Sequence, residues 1–298
     1  MASPNGILLV DKPGGITSHD VVARARRALA TRRIGHAGTL DPMATGLLIL
    51  GVGPATRLLT YIVGLDKDYA ATIRLGESTD SDDADGTVTA RATPPAVAAL
   101  TAQRIDAAVA RLTGHIAQVP SRVSAIKVGG RRAYDLARQG ARVDLAARDV
   151  EIAVFAVRES RADEGRLDLD VDVTCSSGTY VRALARDLGA DLGVGGHLTA
   201  LRRTRIGAFD VAEAASLDEI PAAPLLSPAQ AASRVMPVVE VDRDRASDLR
   251  HGKRVSGLGS SFPGPRAAAT DPDGRLIGVV ERRGEDVKSV MNMPEESP

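Results

Sequence analysis

Apolar and polar residues alternate most regularly between residues 166 and 175. Every second residue is apolar from Leu167 to Cys175, and polar residues fill the positions between them. Because successive side chains of a strand point to opposite faces, this alternation predicts a β-strand with one buried face. A Ser-Ser-Gly turn follows, and apolar residues then recur at helical spacing as far as Leu188. This pattern predicts a helix that begins near Thr179, with Arg182 in its first turn just beyond the edge of a sheet.

Shorter patterns predict further elements before this strand. Residues 6–10 and 68–75 indicate strands, and residues 103–112 indicate a helix. Thr17 or Ser18 can cap another helix, with arginines on one face. The other face of that helix carries four apolar residues: Val21, Val22, Ala25 and Leu29. Together these elements predict a mixed α/β (α+β) fold.

The C-terminal quarter differs in composition. Four prolines lie amid alanines between residues 218 and 237, which indicates a linker. Short strands are then predicted at 238–241, 267–270 and 276–281, with a hairpin turn at Asp271-Pro272-Asp273-Gly274. Residues 291–298 show no pattern, and we expect them to be disordered. The predicted organisation is a large domain at 1–220, a linker at 221–237 and a small β domain at 238–298.

Composition narrows the classes of protein that these elements can form. The 298 residues include 38 basic and 38 acidic side chains, so the net charge predicts no partner. The single cysteine, Cys175, rules out an intrachain disulfide framework and is expected to be buried. We find no signal-peptide pattern and no apolar run of roughly 20 residues, so we expect a soluble, cytoplasmic protein without membrane contact.

Charge is distributed less evenly than its total suggests. A cluster of arginines lies just before the Asp41 loop, and such a cluster is typical either of a nucleic-acid footprint or of a solvated helix face. Five arginines form it: Arg24, Arg26, Arg27, Arg32 and Arg33. A separate acidic stretch follows at residues 80–85.

Residues 35–50, G-H-A-G-T-L-D-P-M-A-T-G-L-L-I-L, carry the most specific chemical signal. Asp41 lies in a loop punctuated by glycines, and Pro42 fixes the backbone directly after its carboxylate. The apolar run at 47–50 predicts a strand that anchors the loop in a core. A carboxylate held in this way can be a nucleophile or general base, or it can cap backbone amides in an Asx-Pro turn. The loop alone leaves both roles open.

This loop resembles the catalytic motif of the TruB-type tRNA pseudouridine synthases, approximately G-H-x-G-x-L-D-P-x-A-x-G. Further motifs of that family match in the same order, over roughly residues 6–215. They are Val10-Asp11-Lys12-Pro13 with residues 15–18, Lys67-Asp68-Tyr69 with Arg74-Leu75-Gly76, the acidic segment at 79–86, Ser124-Ala125-Ile126-Lys127, Arg138-Gln139-Gly140, Gly178-Thr179-Tyr180-Val181-Arg182 and Leu201-Arg202-Arg203. The resemblance implies a pseudouridine-synthase catalytic domain, with a mixed, largely antiparallel sheet flanked by helices.

The C-terminal segment from 238 resembles, more weakly, a PUA domain, the small RNA-binding β-barrel found in many RNA-modifying enzymes. The best landmarks are Leu249, Gly252 and Lys253. From its residues alone this segment fits any small β module.

The resemblance also implies a reaction. The uridine at position 55 of the tRNA T-loop is flipped out and isomerised to pseudouridine, without a cofactor, metal or guide RNA. Asp41 is then the nucleophile or base, acting at ribose C1′, the ribose 2′ carbon or uracil C6. Arg182 pairs with Asp41, and Tyr69 stacks on the uracil and relays the C5 proton. Six more residues are implied to bind or support the substrate: His36 in the vacated stack, Leu201 at the uracil pocket, Lys12 behind the catalytic loop, and Tyr180, Lys127 and Arg202.

A basic segment at about 115–145 resembles the mobile insertion that closes over the T-loop in this family. Its basic residues are Lys127, Arg131, Arg132, Arg138 and Arg142. Because only 2% of the chain is aromatic, a folded stem-loop read by shape and phosphates is favoured over stacked single-stranded bases. Val123 departs from the family, which often has a tyrosine at this position.

Two other classes of protein compete with this interpretation. A non-catalytic tRNA-folding helper needs the basic surfaces but not Asp41, Tyr69 and Arg182 together, although such an activity can accompany catalysis. An aspartyl phosphotransferase needs a second acidic residue beside its nucleophile, and Leu40-Asp41-Pro42-Met43 lacks one. A guide-dependent pseudouridine synthase is a closer relative, but this chain has no extended Lys-rich tails. We therefore expect a stand-alone enzyme that binds the tRNA T-arm without an obligate protein partner, and a monomer suffices.

Overall fold

The structure, a computed structural model, describes residues 4–121, 127–128, 131–132 and 145–295. The chain forms two compact units. The first comprises Met1–Pro42, Gly46–Gly64 and Arg205–Pro298, and the second comprises Met43–Thr45 and Leu65–Thr204. Both units combine helices with largely antiparallel strands, so the predicted mixed α/β class is confirmed.

Strand β3 (Thr45–Val52) organises the N-terminal part of the first unit. It pairs antiparallel with β1 (Gly6–Lys12) and with β2 (Ile34–Ala37). All four residues of the apolar run 47–50 are buried, which confirms the strand predicted to anchor the Asp41 loop. A 3-10 helix (Gly53–Leu58) and helix α2 (Leu59–Ile62) follow.

Helix α1 (Ser18–Ala28) begins where the sequence predicts. The Thr17 side chain accepts a hydrogen bond from the Asp20 N–H, and the Asp20 carboxylate accepts one from the Thr17 N–H at 2.8 Å. This reciprocal capping box satisfies backbone donors that a helix start otherwise leaves open. Val21, Val22 and Ala25 are buried, which confirms these three members of the apolar face, whereas Leu29 caps the end of the helix and is half-buried.

A five-stranded sheet forms the C-terminal module of the first unit, in the order β14-β16-β17-β18-β15. Its strands are β14 (Val238–Glu240), β15 (Arg254–Ser256), β16 (Arg266–Thr270), β17 (Leu276–Arg283) and β18 (Asp286–Asn292). β14 and β16 are parallel, and the other neighbours are antiparallel. Apolar side chains of the sheet and of α7 (Arg243–Arg250) share one core. The predicted hairpin is confirmed, because the turn at 271–274 joins β16 to β17.

The end of the chain differs from its prediction. Met291 and Asn292 belong to β18, and Met293 is buried, so the prediction of disorder from residue 291 is wrong for these residues. They are ordered by pairing with β17, where a Cβ on Gly278 would lie 2.0 Å from the Met291 carbonyl oxygen. Residues 296–298 lie outside the described residues.

The segment predicted as a linker contains a helix. Helix α6 (Pro228–Ser233) is capped by Ser227 in a second capping box with Gln230. Leu226, just before it, forms an isolated bridge with Ile7 of β1. Strand β13 (Phe209–Asp210), also in this unit, pairs with Arg205–Ile206.

The second unit is organised around a sheet in the order β12-β4-β11-β10-β7. These strands are β4 (Lys67–Leu75), β7 (Gly114–Gln118), β10 (Arg148–Asp163), β11 (Arg166–Cys175) and β12 (Gly196–Ile206). β11 has the predicted bounds, and Cys175 at its end is buried as expected.

Smaller elements complete the second unit. They are the paired strands β5 (Glu77–Thr79) and β6 (Val88–Arg91), the paired strands β8 (Lys127–Val128) and β9 (Arg131–Arg132), and helices α3 (Pro94–Ala98), α4 (Ala102–Arg111) and α5 (Val181–Leu192). The other residues of the basic segment between 122 and 144 lie outside the described residues. Among the helices of the described ranges, none is long and apolar enough to cross a membrane.

Candidate active site

Asp41 lies in the loop that joins β2 to β3. Leu40 and Ala44 on either side are buried, while Asp41 itself is half-buried. Gly38 and Gly46 have φ values of 82° and 99°, in the left-handed region that favours glycine. The backbone therefore turns on both sides of Asp41 and holds its carboxylate at the edge of a fixed core.

Lys12 is completely buried and braces this loop. Its Nζ donates hydrogen bonds to the carbonyl oxygens of Pro13 (2.9 Å), Ile16 (2.8 Å) and Pro42 (3.2 Å). The Gly15 N–H donates to the same Pro42 carbonyl at 2.8 Å. A buried ammonium group is costly unless its donors are satisfied, so this set of acceptors favours a single loop arrangement. Because Pro42 directly follows Asp41, that arrangement also fixes the backbone of the carboxylate.

The start of α1 is fastened to the same loop. The buried Ser18 hydroxyl accepts a hydrogen bond from the Leu40 N–H at 2.9 Å and donates to the Leu40 carbonyl at 3.1 Å. The next residue, His19, packs its ring against the edge of the His36 ring, with centroids 5.5 Å apart and planes at 82°. His36 lies on β2 opposite Leu50. The first unit thus brings Lys12, His36 and Asp41 into one loop-centred group.

Tyr69 and Arg182 lie in the second unit. Tyr69 is buried on β4, directly opposite Val173 of β11. Arg182 is only 3% exposed and occupies the first turn of α5, as the sequence predicts. The helix begins at Val181, two residues later than predicted, because Tyr180 is still extended with φ −105° and ψ 102°.

The guanidinium of Arg182 is held by a partner that the sequence does not single out. Its Nη1 lies 3.1 Å from Asp83 Oδ2 and donates to the Ser81 carbonyl at 2.8 Å. Asp83 is buried, and its carboxylate also accepts a hydrogen bond from the Ser81 hydroxyl. A buried ion pair of this kind holds both groups in one geometry, since either alone would be a costly buried charge.

Residues of the acidic stretch are therefore buried and paired with arginines of α5, a role that the composition of the stretch does not indicate. Asp82 is buried as well and lies 3.3 Å from Arg186 of the same helix, while the Leu198 N–H donates to its carbonyl. Burial raises the pKa of Asp82, and hydrogen bonding by Ser121 and the charge of Arg186 oppose the rise. About 100 residues separate these aspartates from α5 along the chain, so local patterns cannot reveal the pairing.

Gln118 fixes the residue that precedes α5. Its Oε1 accepts from the Tyr180 N–H at 2.8 Å, and its Nε2 donates to the Tyr180 carbonyl at 3.1 Å. The amide is buried at the end of β7. It pairs with both backbone groups of Tyr180, as a neighbouring strand would, and so the helix begins only at Val181. Its burial and its pairing with a residue 62 positions away identify it, and neither is visible in the sequence.

A second buried lysine lies beside Tyr69 on the same face of β4. Lys67 Nζ donates to the Leu65 carbonyl at 2.6 Å, and the residue faces Cys175 across the strands. Burial, reinforced by the charge of the buried Arg203, lowers the pKa of Lys67 to about 8. Burial likewise raises the pKa of the Cys175 thiol to about 11, so the thiol remains protonated near neutral pH.

The other site residues named from the sequence also lie in the second unit. Leu201 is buried on β12, and Arg202 Nη1 lies 3.5 Å from Thr45 Oγ1. Lys127 lies on β8 opposite Arg132. The motifs at 124–126 and 138–140, and Val123, lie outside the described residues.

The chemistry available from these groups is that of a carboxylate, a phenol and buried cations. A fixed carboxylate can attack carbon or accept a proton, and a buried guanidinium can keep such a carboxylate ionised. Among the residues that the structure describes, no group of three His, Cys, Asp or Glu side chains could hold a metal ion.

Three family models match the chain. The model described as "TruB family pseudouridylate synthase (N terminal domain)" matches residues 26–181. The models described as "tRNA pseudouridylate synthase B C-terminal domain" and "tRNA Pseudouridine synthase II, C terminal" match residues 182–240 and 236–294. Between them the models cover residues 26–294, which include parts of both units.

Curated proteins are similar over almost the full length. A tRNA pseudouridine synthase B of Leifsonia xyli subsp. xyli is 53% identical over 292 residues, which is 97% of each chain. Proteins of the same name from Mycolicibacterium paratuberculosis and Mycobacterium tuberculosis are 53% and 50% identical, each over 291 residues. The match covers 97% of this chain in both cases, and 97% and 96% of those relatives.

Chains in solved structures of two complexes share the fold. The structure of an H/ACA RNP bound to a substrate RNA containing 2'-deoxyuridine has a chain with TM-score 0.71 and 21% identity. The match spans 98% of this chain and 86% of that one. The structure of a Cbf5-Nop10-Gar1 complex gives a TM-score of 0.70 and 24% identity over 97% and 84% of the two chains.

Proposed function

The chain belongs to the TruB family of pseudouridylate synthases, and from this membership we propose that it isomerises uridine 55 in the T-loop of tRNA. Conversion of uridine to pseudouridine in tRNA is the activity for which its relatives at 50–53% identity are named. The position, the catalytic aspartate and the flipping of the base are our proposals. The observation that supports them best is the Asp41 loop, whose sequence matches the family motif and whose backbone is fixed by a buried lysine.

The reaction replaces the carbon–nitrogen bond between uracil and ribose with a carbon–carbon bond. The N1–C1′ bond of uridine breaks, the uracil rotates, C5 joins C1′, the proton on C5 is lost and N1 gains a proton. No electrons are gained or lost, and no second substrate is consumed, so the reaction needs no cofactor. Asp41 acts as the nucleophile or base, at ribose C1′, the ribose 2′ carbon or uracil C6.

Arg182 supports Asp41 in this proposal. A guanidinium carries five N–H donors in a planar fork, so one arginine can serve two carboxylates. Asp83 and Ser81 orient the fork, and pairing with Asp41 keeps that carboxylate ionised at neutral pH. Tyr69 stacks on the uracil and relays the proton from C5.

The remaining residues bind the RNA and hold the flipped nucleotide. Flipping the base costs a few kcal/mol of stacking energy. Contacts that the protein makes in the vacated stack and in the uracil pocket offset this cost. We assign His36 to the vacated stack and Leu201 to the wall of the uracil pocket. Tyr180, Lys127 and Arg202 contact the substrate, and Lys12 acts through the catalytic loop.

The enzyme acts in this proposal as a cytoplasmic monomer, without a guide RNA or obligate protein partner. The rival role is a tRNA-folding helper that needs no catalytic carboxylate. The enzyme changes the bound RNA chemically, whereas the folding helper releases it unchanged.

Carbodiimide mapping of an unmodified tRNA transcript tests the proposed position. After incubation with the protein alone, reverse transcription should stop at a new adduct on nucleotide 55 and at no other uridine. A transcript with cytidine at position 55 is the matched control and should give no stop. A stop at another uridine would contradict the assigned position, and binding without any stop would favour the folding helper.

A further inference from the structure

The arginines that follow the start of α1 form a surface of uncompensated positive charge. We call Arg24, Arg27, Arg32 and Arg33 the α1 arginine surface. All four side chains are exposed. In the part of the chain that the structure describes, none of them forms an ion pair with a carboxylate. Arg26, their neighbour, is engaged differently, because its Nη2 donates to the Ile34 carbonyl at 2.9 Å.

Several other arginines of this chain are paired with carboxylates, although some exposed ones, such as Arg148, Arg254 and Arg275, stand singly without an ion pair in the described residues. Ion pairs join Arg111 to Asp191, Arg158 to Asp172, Arg161 to Asp170, Arg234 to Glu213 and Arg266 to Glu281. The whole chain has a net charge of zero. Against that background, a group of four unpaired arginines is a local excess of positive charge rather than a consequence of a basic composition.

The one acidic residue on the same helix does not neutralise this surface. Asp20 lies four residues before Arg24, but its carboxylate accepts hydrogen bonds from the Thr17 N–H at 2.8 Å and the Thr17 hydroxyl at 2.6 Å. The hydrogen bonds from Thr17 lower the pKa of Asp20, and the charge of Arg24 contributes less. The carboxylate thus serves the helix cap, and Arg24 and Arg27 face solvent one turn apart.

This surface begins beside the Asp41 loop. Ser18, the first residue of α1, is hydrogen-bonded to Leu40, which precedes Asp41. A helix rises about 1.5 Å per residue, so Arg27 lies about 13 Å along the axis from Ser18. The arginines therefore extend away from the catalytic loop over a length that several consecutive phosphates of a nucleic acid can span.

We propose that the α1 arginine surface binds the phosphates of the nucleotides that flank the target uridine in the T-arm. This inference rests on the proposed function, and it specifies which face of the protein carries the RNA backbone. Guanidinium groups bind phosphate oxygens through two parallel N–H···O bonds, and each contact releases counterions from the RNA. The surface contributes affinity and orientation, while the chemistry belongs to the Asp41 loop.

The test compares two double variants that lose the same charge. Arg24→Gln with Arg27→Gln removes two members of the surface, and Arg158→Gln with Arg161→Gln removes two exposed arginines that are paired with aspartates. Binding is measured with a T-arm hairpin between about 50 and 200 mM salt. The surface variant should bind about tenfold more weakly near 100 mM salt, and the slope of log Kd against log salt should fall by about 2. The control variant should bind within about twofold of the unaltered protein.

Rate measurements separate binding from chemistry. In single-turnover reactions at saturating protein, the surface variant should form pseudouridine at the unaltered rate, because only KM depends on the surface. Equal binding by the two double variants would overturn the proposal, as would an effect seen with whole tRNA but not with the T-arm hairpin. Loss of binding to phosphatidylcholine–phosphatidylserine vesicles, with hairpin binding unchanged, would instead assign the surface to a membrane. If the unaltered protein binds the hairpin without forming pseudouridine, the proposed function fails while the binding comparison still decides this inference.

Discussion

Two lysines, Lys12 and Lys67, are buried among the residues that the structure describes, and each directs its ammonium group to backbone carbonyls. Lys12 joins three carbonyls from two segments, which a neutral side chain of the same length cannot do. Lys67 contacts the carbonyl of Leu65, two residues before it, and lies close to another cation, Arg203. The first lysine therefore fixes a loop, whereas the second holds a charge that the fold disfavours.

Replacing Lys12 should damage both stability and catalysis. In Lys12→Met the carbonyls of Pro13, Ile16 and Pro42 lose a charged donor, and each such bond contributes about 1.5–3 kcal/mol. We expect the free energy of unfolding in urea to fall by about 3 kcal/mol, and kcat to fall more than KM rises. Lys288→Met, on an exposed position of β18, is the control and should change stability by less than about 0.5 kcal/mol. Unchanged kcat in a folded Lys12→Met protein would show that the loop needs no brace.

Lys67 gives a pH dependence of defined sign. Its pKa is about 8 in the folded protein and 10.5 ordinarily, so between these values the unfolded chain binds a proton that the folded protein has released. The free energy of unfolding should therefore rise from pH 8 to 10.5 by about 3 kcal/mol relative to Lys67→Met, and the difference should be constant below pH 8. Urea titrations of both proteins across this range measure it. Parallel curves would mean that the lysine is not desolvated.

Asp83 should matter for catalysis although it lies outside the catalytic motif. In Asp83→Asn the Arg182 guanidinium loses its buried counter-charge, and we expect kcat to fall roughly 10²-fold and stability to fall by about 3 kcal/mol. Asp82→Asn is the matched control. Because burial raises the pKa of Asp82, its neutral amide should cost little stability, and kcat should stay within about threefold. Equal effects of the two substitutions would deny Arg182 a special role.

At the scale of elements, α5 depends on a close approach that only glycine permits. A Cβ on Gly189 would lie 2.2 Å from the backbone carbon of Gly195 and the backbone nitrogen of Gly196, where β12 starts. Gly189→Ala should therefore destabilise the protein by about 3 kcal/mol, even though alanine is the better helix former. Gly64→Ala, where nothing lies within 4 Å of the added Cβ, should change stability by less than about 0.5 kcal/mol. Thermal unfolding of both variants checks this, and a stable Gly189→Ala protein would contradict the packing.

The elements with strong local periodicity could be predicted from the sequence. The bounds of β11 follow from its alternation, and the start of α1 from its cap. The start of α5 could not be placed, because Gln118 holds Tyr180 extended from 62 residues away. Strand β18 was equally hidden, since its last residues are ordered by pairing with β17 rather than by a pattern of their own.

Some residues of the candidate site could be predicted from the sequence, and others could not. Asp41 and Lys12 lie in contiguous motifs, so their sequence identifies them. Asp83 belongs to an acidic run that resembles a solvated segment, and only the fold shows that it is buried against Arg182. Pairing between buried charged residues that are far apart in the chain is the part of this site that local sequence patterns cannot predict.

On the scale of the whole molecule, the chain combines overall neutrality with groups of specific charge. A neutral protein gains no general attraction to RNA, so binding depends on local surfaces and catalysis on a small number of fixed groups. Family membership covers both units, and the identity to curated relatives extends over 97% of the chain. The central claim is that one carboxylate, Asp41, drives the isomerisation.

Tritium release from a [5-³H]uridine-labelled tRNA transcript tests this claim most directly, with no metal or nucleotide cofactor added as a reactant. The unaltered protein should release one equivalent of tritium per target uridine, and Asp41→Asn should release none while binding tRNA with similar affinity. Asp106→Asn, an exposed aspartate on α4, is the control and should release tritium at the unaltered rate. Release by Asp41→Asn at a comparable rate would contradict the account and require a different nucleophile or base.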